Sequence, residues 1–136
     1  MSKIKVIPCS GIGKMPGLLA RESALTVTDR LCPGISETVC LGHLVTGEDE
    51  ALAKVQGQRC IVVDGCPALC AAKSVEAAGG ILAQQYRAMD TLRSHRGKNP
   101  GTATALTDDG WVIVDEFAEV IAQRTKELYE EGANNV

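Results

Sequence analysis

Six cysteines, Cys9, Cys32, Cys40, Cys60, Cys66 and Cys70, are the residues of this 136-residue chain with the most chemistry to offer. A thiolate is a nucleophile, a redox centre and a soft metal ligand. The opening stretch, MSKIKVIPCSGIGK, holds an apolar run too short for a secretory signal, and no segment approaches ~18 consecutive apolar residues. The expectation is a cytoplasmic protein with reduced thiols. In that setting cysteines bind metals, carry redox chemistry or simply pack.

The positions of the thiols depend on the elements between them. Ile4 to Ile7 is β-branched and ends at Pro8, which predicts a strand followed by a glycine loop. A helix starts at Pro16 or Gly17, with Ala20, Ala24, Val27 and Leu31 at helical spacing, and Pro33-Gly34 ends it. Glu37 to Leu41 reads as a second short strand, with a helical turn as the alternative. Glu48 to Val55 is a brief helix stopped by Gly57, and Cys60 to Asp64 is the clearest buried strand. After Gly65, Cys66 takes the N-cap and Pro67 the first position of a helix that ends at Gly79-Gly80. Ile81 to Met89 reads as a strand, Ser94 to Gly110 as a loop and Trp111 to Val114 as an edge strand. Asp115 then caps a helix to about Glu131, with Phe117, Val120, Ile121 and Leu128 on one face.

Strands alternating with helices predict one α/β domain over residues 1–136. Its expected core is a three-layer, mainly parallel sheet of about four strands, Rossmann-like or flavodoxin-like. Right-handed crossovers put the loops that follow the strands on one edge. Cys9 follows the first strand, Cys40 lies near the end of the second, and Cys66 and Cys70 follow the third. Four thiols distant in sequence thus converge on the carboxyl edge. With a helix starting at Pro67, Cys66 and Cys70 stack on its first turn, where the positive helix end favours thiolates. Zn(II) suits four thiolates, and an iron–sulfur cluster is the alternative cofactor. Cys60, inside a buried strand, and Cys32, in the turn Leu-Cys-Pro-Gly, read as small core residues.

Other chemistries fit less well. A net charge of −3 and four aromatic residues, Tyr86, Trp111, Phe117 and Tyr129, argue against nucleic-acid binding. The phosphatase loop CxxxxxR fails because Met15 stands where the arginine belongs, and Walker A fails at Pro8 and Met15. No CxxC pair exists for thioredoxin chemistry. His43 and His95 read as solvated surface histidines. Asp64 either orients a ligand or shapes the turn into the helix, with equal weight. Lys14 and Lys73 could attract an anion, although exposed lysines usually do nothing so specific.

IPCSGIGK near the start, paired with VDGCPALCAAKSVEAAGG in the middle, resembles the DGC-domain family, named for its Asp-Gly-Cys triplet. The likeness covers roughly residues 4 to 80, including GLLARESA and ETVCLGHLVTGEDEA. It implies a small α/β domain with a zinc-binding cysteine cluster and no settled biochemical activity. By position, Cys9 matches the CSG cysteine, Cys66 the DGC cysteine and Cys70 the one four residues on, while Cys40 matches a cysteine between the two motifs. Ser74 stands where many members have a further cysteine, and Cys32 is the reserve ligand if Cys40 is displaced.

Three classes of function follow, the blandest an interaction domain whose cysteines merely pack. In the first, Cys9, Cys40, Cys66 and Cys70 hold zinc, which is structural if all four bind and catalytic if one position stays open. Only Asp64 or His43 could then serve as a base, so the sequence leaves enzyme activity open. In the second, Cys66 is a redox or sulfur-transfer nucleophile with Cys70 or Cys9 as its resolving partner. The partner expected is a metal ion, with no nucleic acid and no membrane; a protein partner is unknown.

Overall fold

A computed structural model describes residues 3–9, 14–65 and 69–134, with side chains described as far as residue 132. Four strands, β1 (Ile4–Pro8), β2 (Ser36–Glu37), β3 (Arg59–Asp64) and β4 (Ile81–Arg87), form an all-parallel sheet in the order β2-β1-β3-β4. β1 and β3 are central and covered on both faces. This is why IKVI and CIVV read as nearly continuous apolar runs rather than alternating ones.

The pleat sorts these residues between two cores. Ile4, Val6, Ile61 and Val63 face α1 (Met15–Thr26), its π-helical continuation Val27–Leu31, and the long α6 (Asp108–Asn134). Ile7, Cys9, Cys60 and Val62 face α2 (Leu41–Val45), α3 (Asp49–Val55) and α4 (Cys70–Ala77). The result is the expected three-layer α/β fold. The chain leaves β1 toward one face and β3 toward the other, so the carboxyl ends of these neighbours flank a crevice at a topological switch point. No helix among the described residues is long and apolar enough to cross a membrane.

Three expectations need correction. The first concerns β2, which ends at Glu37; Cys40 is the N-cap of α2, and its carbonyl accepts the Leu44 amide at 3.1 Å. Neither a strand nor a helical turn spans Glu37 to Leu41: the strand stops at Glu37, residues 38–40 are irregular, and the helix begins at Leu41. β2 is anchored instead by Lys5 on β1, whose buried ammonium lies 2.8 Å from the Glu37 carboxylate. That bond holds the Glu37 carboxyl below its usual pKa.

The second correction concerns Trp111 to Val114, which belong to α6 and not to an edge strand. Thr107 caps this helix, its hydroxyl accepting the Gly110 amide at 3.1 Å and its carbonyl the Trp111 amide at 3.0 Å. Read from there, Ile113, Val114, Phe117, Ala118, Ile121, Ala122, Thr125 and Leu128 form the buried stripe, while Val112 and Val120 face out. Apolar contact dominates the docking of α6. The exposed pair Arg30–Asp115 spans 3.8 Å and contributes under about 1 kcal/mol, whereas truncating Ile121 costs about 2–5 kcal/mol.

The third involves His95. β4 stops at Arg87 and continues as α5 (Ala88–Ser94), which the sequence reading placed partly in strand and partly in loop. This helix brings His95 against α6. Its Nδ1 donates to the Thr91 carbonyl at 2.8 Å, and Nε2 bonds the Glu116 carboxylate, so the ring is anchored rather than solvated. The Thr91 bond first and the Glu116 bond second raise the His95 pKa. Their contribution to stability is therefore full below the unfolded value near ~6.5 and is lost as pH rises through the higher folded value. Thermal melts should show His95→Ala furthest below the parent protein near pH ~5.5, with the gap narrowing above pH ~8. A gap that is constant or widens with pH would show that the ring does not work through its charge.

Candidate metal centre

β3 presents Cys60, Val62 and Asp64 on the α4 side of the sheet by simple alternation. Asp64 is fully buried, and its carboxylate accepts the amides of Ala71 at 2.8 Å and Ala72 at 3.3 Å. α4 starts at Cys70, so these are its second and third residues, the donors that an N-cap side chain normally satisfies. The local N-cap, Leu69, has no polar side chain and sits in left-handed backbone at φ 56°, a conformation that costs about 1–2 kcal/mol. Asp64 thus caps the helix from outside it. The second of the two roles weighed for this residue, shaping the turn, is the one the geometry carries.

This corrects the expected start of α4. Cys66 and Pro67 were placed at the N-cap and first helical position, but the helix begins at Cys70. Cys66 and Pro67 themselves lie outside the described residues. Cys70 occupies the first helical position and is exposed.

Cys9 stands on the same rim. Its amide donates to the Val63 carbonyl at 2.9 Å, extending the β1–β3 pairing one step beyond the last strand partners, Pro8 and Val63. The next step in register sets Cys9 beside Asp64. Cys9 is buried in the core on the α4 face. Cys40, at the start of α2, is exposed, and it lines one cavity of about 280 Å³ together with Cys9, Pro8, Thr38 and Arg21. α2 packs on α4, so the elements bearing Cys40 and Cys70 are neighbours. Cys9, Cys40 and Cys70 thus all lie at the carboxyl edge. Among the described residues, no three His, Cys, Asp or Glu side chains stand close enough together to hold a metal ion.

The other two cysteines behave as core residues. Cys32 packs under α6 near the amino end of β2, its Sγ 3.7 Å from the Ala122 carbonyl, and burial raises its pKa. Cys60 is fully buried, and burial pushes its thiol up to about 11. Cys32, the reserve ligand, lies away from the carboxyl rim. His43 is exposed and 3.5 Å from Glu48, as expected of a surface histidine.

Sequence reasoning passed over Arg21, whose place beside two thiols follows from the helical spacing it shares with Leu25 of the same cavity. The thiols are the donors at the rim that suit a soft cation, because both oxygens of the Asp64 carboxylate are engaged by backbone amides.

A family model described as DGC domain matches residues 5–115, from within β1 to the first turns of α6. No curated protein and no solved structure matches the chain.

Two measurements check this geometry. Asp64→Ala, which orphans two buried amides, should lose about 1–3 kcal/mol in urea unfolding, and Asp64→Asn, which keeps one acceptor, distinctly less. Equal stability of all three proteins would dismiss the cap. With a chelator present, Cys40 and Cys70 should alkylate fast at neutral pH, while Cys32 and Cys60 react only on unfolding; rapid labelling of Cys60 in the folded protein would contradict its burial.

Proposed function

The chain belongs to the DGC-domain family, and on that footing we propose that it is a zinc-binding protein whose ion is held by Cys9, Cys40, Cys66 and Cys70. One observation carries this reading. Cys9 follows β1 beside Asp64, shares a cavity with Cys40, and faces the helix that starts at Cys70. The strand-to-helix connections after β1, β2 and β3 thereby bring Cys9, Cys40 and Cys70 to one rim, and Cys66 lies between Gly65 and Leu69 in the sequence.

Electrostatics favours a metal over a lone reactive thiolate here. The amides at the start of α4 that would otherwise welcome an anion are already taken by the Asp64 carboxylate. Further thiolates at this place add negative charge to negative charge, which a divalent cation relieves. A redox or sulfur-transfer role for Cys66 lacks that compensation.

The ion, when bound, supplies charge neutralisation and a cross-link between the β1, β2 and β3 ends. With four thiolates around it no position remains for substrate, so the role that follows is to hold the rim together. Of the ligands, Cys9 is fixed by the sheet. Cys70 is positioned by the Asp64 cap, and Cys40 by the start of α2.

Protein purified without oxygen should contain about one zinc per chain. Cys66→Ser/Cys70→Ser should lose the metal together with several kcal/mol of folding stability, whereas Cys32→Ala should keep it. Visible absorbance from iron and sulfide would transfer the same ligands to an iron–sulfur cluster. A metal-free anaerobic preparation, or a double variant with unchanged stability, would refute the proposal.

A further inference from the structure

Beside the thiol rim, on the β4 side of the switch point, lies a cavity of about 210 Å³ lined by Lys14, Pro16, Gly65, Arg87, Met89, Asp90 and Arg93. Its position is fixed by the ends of three elements. Lys14 is the N-cap of α1, Gly65 follows β3, and Arg87 ends β4. Gly65 is required there, because a Cβ would come within 2.8 Å of the Gly17 backbone; the bare backbone lets α1 press against the end of β3 and forms one wall of the crevice.

The charges are unbalanced. Three cationic side chains face one carboxylate. Asp90 is placed between the two guanidiniums, with Oδ2 3.4 Å from the Arg87 Nε and Oδ1 3.6 Å from an Arg93 terminal nitrogen. Each of these contacts occupies one edge of its guanidinium and leaves other N–H groups available, while restraining where those groups can point. Lys14 has no carboxylate within 4.0 Å among the described residues. α1 adds no acidic residue in its first turn, so the field at its start is not offset.

A second cavity, of about 470 Å³, adjoins the first through Arg87 and Asp90 and reaches Tyr86 and Phe117. Those two rings meet edge to face at 5.9 Å. The composite is a cationic mouth with an aromatic extension, at the carboxyl edge where doubly wound sheets receive ligands.

We propose that this crevice is a binding site for a small organic oxyanion, a phosphate ester or a carboxylate, whose apolar body extends toward Tyr86 and Phe117. Arg87 and Arg93 form the planar, bidentate part of the recognition and Lys14 supplies a point charge. The site uses none of the cysteines and stands whether or not they hold zinc.

The test is an NMR titration of the full ¹⁵N-labelled chain at fixed ionic strength with phenyl phosphate, with benzoate and with neutral benzyl alcohol. Saturable shifts at the amides of Gly65, Arg87 and Thr91 are expected with at least one of the two anions and not with the alcohol. Saturation by phenyl phosphate alone assigns a phosphate ligand, by benzoate alone a carboxylate, and by both an oxyanion of either kind. Lys14→Ala/Arg93→Ala, two exposed positions outside both cores, should weaken binding about tenfold or more at unchanged Tm. Lys14→Arg should retain it. Failure of both anions to saturate, equal shifts from the alcohol, or wild-type affinity in the double variant would each overturn the assignment.

Discussion

The rim of this molecule depends on one hydrogen-bonded contact, the buried Asp64 carboxylate on the amides of Ala71 and Ala72. It joins the last residue of a central strand to the first turn of a helix and bridges the segment between them. A buried carboxylate is costly unless both oxygens are engaged, and two backbone amides at a helix start are the partners that suit it best. In return α4 begins at a fixed point although Leu69, its own N-cap, offers no acceptor and has strained backbone. The Asp-Gly-Cys triplet is then legible as physics. The aspartate caps the helix and the glycine admits α1 against the strand end.

Much of this fold could be read in the residues, for definite reasons. β1 and β3 are buried on both faces, so their apolar runs are nearly continuous, broken only by Lys5 in β1, and the alternation of strand and helix implied parallel order. What escaped prediction lies at the periphery. The sheet edge at β2 is a two-residue ladder on β1 reinforced by the Lys5–Glu37 ion pair rather than a long apolar run. WVIV has strand propensity, yet the Thr107 cap and the buried stripe that follows it enforce α6. Local propensity yields there to packing of a long amphipathic surface.

The site was legible to a different degree. Placement of Cys9 followed from the end of β1, whereas Cys40 was read at the end of a strand and stands at the start of α2; the reading of Cys60 and Cys32 as core residues followed from a buried strand and a tight turn. The start of α4 did not. Its cap comes from seven residues upstream, across a turn, and the Ncap rules that pointed to Cys66 and Pro67 consider only adjacent positions. The cationic crevice was half visible in Lys14; Arg87 ends β4, but Arg93 reaches it from α5, a helix that the sequence reading did not anticipate.

Thiols and cations thus flank one switch point, the thiols on the β1–β2 side and around α4, the cations toward β4. The most direct measurement of the central claim is X-ray absorption at the zinc edge on the zinc-loaded full chain. A first coordination shell dominated by sulfur, at about 2.3 Å, is the predicted result. A shell made only of nitrogen and oxygen, at about 2.0–2.2 Å, would contradict the gathering of these cysteines around a metal at the sheet's carboxyl edge.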